Sequence, residues 1–302
     1  MNTAEMTEKM AAGHGFIAAL DQSGGSTPKA LKGYGVDEGA WSTDEEMFGL
    51  IHQMRVRIIT SPAFTGDHVI GAILFERTMD GVVGDRATDG KPVPQALHDR
   101  GVVPFLKIDK GLEDERDGVQ LMKPIGGLDA MLARAKALGV FGTKERSVIN
   151  LANRDGIQAV VEQQFAVAEQ VLAAGLVPII EPEVNIRSGE RAQADVILRD
   201  ALIAALNAMP GDARVMLKLS LPAEPDLFRP LVDHRRVLRV VALSGGYSRT
   251  EACAELAKNH GVIASFSRAL LEDLRDGMDD QAFDRALGEA IDEIFRASTE
   301  KR

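Results

Sequence analysis

Eight apolar runs recur along the sequence, and most are separated by enough chain for a helix: GFIAAL (15–20), VIGAILF (69–75), VVPFLKID (102–109), VFGTKER (140–146), LVPIIEPEV (176–184), RVMLKLS (214–220), VLRVVALS (237–244) and VIASFSR (262–268). They start with little polar alternation, the pattern of strands covered on both faces in a parallel sheet. Amphipathic segments lie between them. Val161, Phe165, Ala168 and Leu172 fall on one helical stripe that Gly175 would stop, and Leu128, Leu132 and Ala135 do the same ahead of Gly139. Ser248 and Glu251 have the spacing of a capping box that opens a helix toward Gly261. Such alternation defines an α/β fold. A doubly wound open sheet would satisfy it too, but eight strands favour closure into a single-domain (β/α)8 barrel, the TIM-barrel architecture. No linker interrupts residues 1–302, so the chain reads as one domain with a short polar segment over about residues 1–12 and a helix at its C-terminal end.

In almost every run the polar groups fall at the C-terminal end. The first run is followed by Asp21; the third carries Lys107 and Asp109, the fourth Lys144 and Arg146, the fifth Glu181 and Glu183, the sixth Lys218 and Ser220, and the eighth Ser267 and Arg268. Residues i and i+2 of a strand share a face, so Lys144 goes with Arg146 and Glu181 with Glu183. In a barrel, one face is the interior, and the C-terminal mouth is where this architecture builds active sites. Any one polar residue at a strand end can simply mark entry into water. Lys218 is different, because RVMLKLS keeps it inside an apolar run, and lysines are seldom buried unless paired or functional. An amine desolvated there beside other cations favours its neutral form, which can attack a carbonyl; an interior ion pair with Glu181 or Glu183 is the competing reading. The two glutamates could shuttle protons, hold a divalent metal, or pair with Lys and Arg. The lack of histidine near these strands argues against a site of the zinc-lyase kind.

Two glycine-containing segments suit phosphate: DQSGGS (21–26) after the first run and LSGGYS (243–248) after the seventh. Backbone N–H groups in such turns and at helix N-termini bind phosphate oxygens, and barrels often use the loops after strands seven and eight for this. Arg268 would add charge there. The net charge of −10, without Lys/Arg blocks, makes nucleic acid and anionic membrane surfaces poor partners, so phosphate would need a local basic pocket. The single cysteine, Cys253, rules out an intrachain disulfide and reads as a small buried side chain. The N-terminal MNTAEMTEKM is unlike a signal peptide, no apolar stretch is long enough for a bilayer, and the expectation is a cytoplasmic protein without metal or organic cofactor.

The segments FIAALDQSGGSTPKAL, GVVPFLKIDKG, GTKERS, LVPIIEPEVNI, VMLKLS, VALSGGYSR and ASFSRAL resemble, in order and spacing, those of class I fructose-bisphosphate aldolases, and most closely the compact bacterial form. The likeness runs from about residue 13 to about residue 290. It implies a metal-independent lyase that cleaves fructose 1,6-bisphosphate to dihydroxyacetone phosphate and glyceraldehyde 3-phosphate through a Schiff base on Lys218. In that reading Glu181 dehydrates the carbinolamine and serves the later proton steps, and Glu183 orients the lysine by hydrogen bonding. Asp21 meets the hydroxyl region where the C3–C4 bond breaks, and Lys144 is a second cation near the imine. Ser244, Gly245, Gly246 and Arg268 match one phosphate site, with Ser267 beside them; Ser23, Ser26, Lys107 and Arg146 lie toward the other. Family members are often oligomeric, which leaves a homo-oligomer open.

Three departures stand out. Ala30 occupies a position that is basic in animal-type enzymes, so the distal phosphate site would be built differently, through Lys29 for example. Ser267 replaces a glycine, and no tyrosine follows Tyr247, so a terminal tyrosine cannot protonate the enamine. The alternatives are a Schiff-base aldolase for another ketose bisphosphate (tagatose or sedoheptulose), a non-catalytic sugar-phosphate-binding barrel, and a metal-dependent lyase.

Overall fold

The computed structural model describes residues 1–84 and 90–302. Eight parallel strands close on themselves: β1 (Phe16–Leu20), β2 (Val69–Leu74), β3 (Val103–Lys107), β4 (Gly142–Ile149), β5 (Val177–Val184), β6 (Val215–Ser220), β7 (Val237–Leu243) and β8 (Val262–Phe266). Each pairs with the next, β3 pairs directly with β4, and β8 returns to β1, so the barrel has no free edge. All eight runs read from the sequence are strands of this barrel, and the fold is a (β/α)8 barrel rather than an open sheet. Beyond its C-terminal mouth, Val119–Gln120 adds an antiparallel pairing to the end of β4.

Strand alternation splits the apolar side chains into two cores. Ile17, Ala19, Phe105, Ile179, Met216 and Val241 fill the barrel interior, while Ala18, Leu106, Ile180, Leu217 and Ala242 face the surrounding helices. The outer layer includes α2 (Ser26–Tyr34), α3 (Asp44–Thr60), α4 (Val93–Asp99), α5 (Leu128–Ala137), α6 (Arg154–Ala173), α7 (Arg191–Ala208), α8 (Arg249–Ala257) and α9 (Asp280–Thr299). Their ends carry the expected chemistry. Asn153 caps α6 through Gly156 N–H, Ser248 and Glu251 form the capping box of α8, and Gly139 and Gly175 take left-handed conformations just after α5 and α6. In α9 the buried residues Phe283, Leu287, Ile291 and Ile294 recur at intervals of three and four, which turns one stripe inward.

The polar N-terminal segment is itself a helix, α1 (Thr3–Ala12), closed by an Asn2/Glu5 capping box. Met6 and Met10, four residues apart and so on one face, enter the interior core beside Ile17, Ile70 and Leu238 near the strand starts. Arg239 holds the last turn in place, donating to the carbonyls of Met10 (2.8 Å) and Gly13 (3.0 Å). The helix plugs the end of the barrel opposite the mouth.

Candidate active site

On β1, β3, β5 and β6 the interior face is apolar at first and turns polar toward the mouth. Ile17 and Ala19 lead to Asp21, Phe105 to Lys107, Ile179 to Glu181, and Met216 to Lys218. On β4, Gly142 precedes Lys144 on this face, and a Cβ there would lie 2.9 Å from the Phe105 ring, so the glycine makes room for the aromatic floor. A layer of charged groups thus rests on hydrocarbon, where electrostatic interactions are strong.

Four of the expected residues form one buried cluster. Lys218 Nζ lies 3.0 Å from Glu181 Oε1, and Lys144 Nζ lies 2.9 Å from Glu181 Oε2 and 2.7 Å from Asp21 Oδ2. Asp21 is 8% exposed and the other three no more than 4%. Burial alone would push the Lys144 ammonium down, but Asp21 and Glu181 hold it well above the ordinary lysine range. Burial works against the charges of Asp21 and Glu181 too, yet Lys144 and Lys218 hold both carboxyls below their usual values. Glu181 is therefore an ionised carboxylate spanning two lysines. It can take a proton from one nitrogen and return it to a group bound there.

Around this cluster lie two further ion pairs. Lys107 Nζ meets Asp109 Oδ1 at 2.7 Å, and Arg146 Nε donates to Glu183 Oε2 at 2.5 Å. The second pair differs from what the resemblance implies, since the partner of Glu183 is Arg146 and the carboxylate beside Lys218 is Glu181. Strand register gives the reason: Arg146 is level with Glu181, so Glu183, two residues further up β5, stands nearer the mouth, where the longer Arg146 side chain reaches it. Among the described residues, no group of three or more His, Cys, Asp or Glu side chains is disposed to hold a metal ion.

The two glycine loops follow β1 and β7, strands separated by β8 alone. After β7, buried Ser244 leads into Gly245 (φ 60°) and Gly246 (φ 115°), conformations that disfavour a side chain. A guanidinium nitrogen of Arg268 approaches within 3.6 Å of where a Gly246 Cβ would stand, so the arginine from the end of β8 does come to this loop. Ser267 precedes it, half-buried. After β1, Ser26 Oγ donates to the Ser23 carbonyl (2.8 Å) and accepts from Ser23 N–H (2.9 Å), folding the loop onto itself. Lys29 of that loop's helix is exposed. Cys253 is buried, and burial pushes its thiol up to about 12, so it is an unreactive side chain as read from the sequence.

Two buried polar side chains beside the site, Gln22 and Arg55, were not singled out from the sequence. Gln22 is buried next to Asp21, and Arg55 of α3 lies fully buried beneath the β1 loop. The available signal was an arginine among Ile51, Met54, Ile58 and Ile59, on the apolar stripe of its helix.

An eight-stranded parallel barrel whose neighbouring strands bring lysines and carboxylates together at the C-terminal mouth places the chain in the TIM-barrel class. The family described as fructose-bisphosphate aldolase class-I matches residues 2–221, and the chain belongs to that family of carbon–carbon lyases, whose class I chemistry implies a Schiff base. Among solved structures, the fructose-bisphosphate aldolase of Plasmodium falciparum, in complex with TRAP and a small-molecule inhibitor, has a TM-score of 0.79 at 20% identity, over 99% of this chain and 95% of that one. A structural-genomics protein of Corynebacterium glutamicum has a TM-score of 0.53 at 14% identity, over 98% and 92%. At these identities the structural likenesses speak for the fold. Among the described residues, no helix is long and apolar enough to cross a membrane.

Proposed function

We propose that this chain reversibly cleaves fructose 1,6-bisphosphate to dihydroxyacetone phosphate and glyceraldehyde 3-phosphate through an imine on Lys218. The observation that carries this reading is the buried Lys218–Glu181–Lys144–Asp21 cluster, at a mouth with two loops suited to phosphate. A substrate phosphorylated at both ends fits a mouth that carries two such loops, one after β1 and one after β7.

Glu181 accepts the proton that leaves Lys218 as its nitrogen adds to the C2 carbonyl. The same carboxyl then returns a proton to the C2 hydroxyl, which departs as water and leaves the iminium. A carboxylate, Asp21 or Glu181, removes the proton of the C4 hydroxyl; the C3–C4 bond breaks, the aldehyde leaves, and the electron pair moves into the iminium to give an enamine. Lys144, which stays cationic beside both carboxylates, balances the charge they carry. Protonation at C3 and hydrolysis release the second product. Ser244, Gly245, Gly246, Ser267 and Arg268 hold one phosphate, and Ser23, Ser26, Lys107 and Arg146 face the other. A cytoplasmic place in glycolysis or gluconeogenesis follows from this substrate.

The test is to incubate the purified protein with fructose 1,6-bisphosphate, add borohydride, and map the modified peptide by mass spectrometry, with an EDTA-treated sample alongside. The expected result is an adduct on Lys218 and undiminished turnover in EDTA. A folded protein that traps nothing with this sugar, or that EDTA silences, would reject the reading. Parallel kinetics with the tagatose and sedoheptulose bisphosphates fix the substrate preference.

A further inference from the structure

Arg55 has the bulkiest of the fully buried side chains among the described residues, at 1% exposure. Its terminal nitrogens donate to neutral oxygens, while Nε has no partner among the described residues. Nη1 donates to Thr78 Oγ1 (2.7 Å), and Nη2 donates to the Gln22 carbonyl (2.5 Å) and to Gln22 Oε1 (3.1 Å). Gln22 passes the contact on, its Nε2 donating to Ser267 Oγ at 2.7 Å. The chain of contacts therefore runs from α3 to the end of β1, where Gln22 follows Asp21, and across to the end of the adjacent strand β8, where Ser267 precedes Arg268.

The direction of this chain is fixed by its first member. A guanidinium can only donate, so it requires the amide oxygen of Gln22 to face it. The amide nitrogen must then face Ser267, whose hydroxyl oxygen accepts. A hydroxyl that accepts from Gln22 keeps its own hydrogen free to turn toward the mouth, where an anion could receive it. The carbonyl of Ser267 accepts from the N–H groups of Leu270 (3.1 Å) and Leu271 (3.3 Å), so the same residue opens the helical turn that carries Arg268.

We propose that Arg55 is a positioning residue for phosphate recognition: through Gln22 it orients the Ser267 hydroxyl as a hydrogen-bond donor to a substrate phosphate held with Arg268 and the Ser244–Gly246 loop. This rests on the sugar-phosphate lyase reading above and adds to it a role for two buried residues that touch no substrate. A glutamate at position 22 would keep the contact with Arg55, and strengthen it by its charge, but would accept from Ser267 and draw its hydrogen inward.

The experiment is a double-mutant cycle on the full chain with Gln22→Glu, Ser267→Ala and the combined variant, reading KM and kcat for fructose 1,6-bisphosphate together with Tm. Each single change is expected to raise KM about tenfold, the worth of one hydrogen bond to a charged group. The combined variant should be no worse than the poorer single one, because both act through one hydroxyl. Gln22→Glu gives up the Gln22 Nε2 contact with the Ala19 carbonyl (3.3 Å) but gains a charged partner for Arg55, and should melt close to wild type. A purely structural relay would leave its KM within about twofold of wild type, and a repulsion by the new charge alone would add to the Ser267→Ala effect; either result overturns the proposal. Arg55→Met should show the same KM loss plus a lower Tm, and the Gln22 variant keeps the test independent of whether Arg55→Met folds. If wild type binds the bisphosphate without turnover, the lyase reading fails and the cycle is read in Kd by calorimetry. If it neither binds nor turns over, both fall.

Discussion

Lys218 Nζ stands 3.0 Å from Glu181 Oε1, a buried amine and a buried carboxylate on adjacent strands. Neither group has a reason to be there on stability grounds alone, since a well-packed apolar pair of similar volume is often as stable as a buried ion pair. For an imine-forming lysine the pairing gives the departing proton somewhere to go. Lys218→Met should therefore abolish both borohydride trapping and turnover, lowering kcat by more than about a thousandfold. Under the proposed mechanism Glu181→Gln keeps the nucleophile but loses the proton carrier; kcat should drop by about 10²–10⁴ with a smaller change in KM. Single-turnover trapping kinetics separate the two, because the Glu181 variant still forms adduct, only slowly.

Among the described residues, Lys144 is the one cation in contact with both Asp21 and Glu181. Lys144→Met leaves two buried carboxylates short of a partner, and breaking a buried pair in this way costs about 3–5 kcal/mol. Their folded pKa values lie below those of the unfolded chain, so wild-type stability from this cluster is present above the ordinary carboxylate range and lost as pH falls through the depressed values. In the variant that window moves to higher pH. Acid unfolding should begin earlier, and the acid limb of the kcat/KM profile should shift upward. Melting curves between pH 4 and pH 8 check the first, and initial rates over the same range check the second; curves that superpose on wild type would contradict the role given to Lys144.

Much of this site was legible because a strand has only two faces. Once RVMLKLS and IIEPEV are taken as barrel strands, alternation alone sends Lys218 and Glu181 to the same interior, and the apolar starts of both runs bury them. What alternation does not give is height. Glu183 shares the face of Glu181, and only the register of β4 against β5 shows that it stands level with a different neighbour and pairs with Arg146. The N-terminal plug was hidden for another reason: two methionines in a polar decapeptide carry little signal, and their burial depends on a barrel end built from residues far along the chain. Arg55 was passed over because its burial is decided by Gln22 and Thr78, neither of which is its neighbour in sequence.

Glu145 lies between Lys144 and Arg146 in sequence but on the opposite face of β4, where it is fully buried and neither carboxyl oxygen has a hydrogen-bond partner among the described residues. Buried Thr143, Ser147 and Gln164 also carry unpartnered polar atoms. Burial, with the negative charge of Asp109 added, raises the Glu145 carboxyl well above its ordinary range, against the opposing pull of Lys144. The folded chain then keeps a proton that the unfolded chain releases, so this group makes stability fall as pH rises above the ordinary carboxylate range. Glu145→Gln removes that slope. Its Tm should exceed that of wild type at pH 8, and the gain should shrink toward pH 5. A gain independent of pH would point to packing instead of ionisation.

The end of the barrel opposite the site depends on α1. Met10 is fully buried in the interior core, and Arg239 ties the end of the helix to β7 through the Met10 and Gly13 carbonyls. Met10→Ala should cost about 2–5 kcal/mol, the usual range for truncating a buried methionine. Arg239→Met should also lower Tm, because two carbonyls lose their donor. The chemistry proposed here takes place at the other end, on strand termini held by their own pairing. Both variants should therefore keep wild-type kcat and KM at 20 °C while inactivating at lower temperature than wild type. Thermal melts and residual-activity assays on the same samples test this, and a loss of kcat at 20 °C in a folded variant would show that the plug reaches the mouth through the interior core.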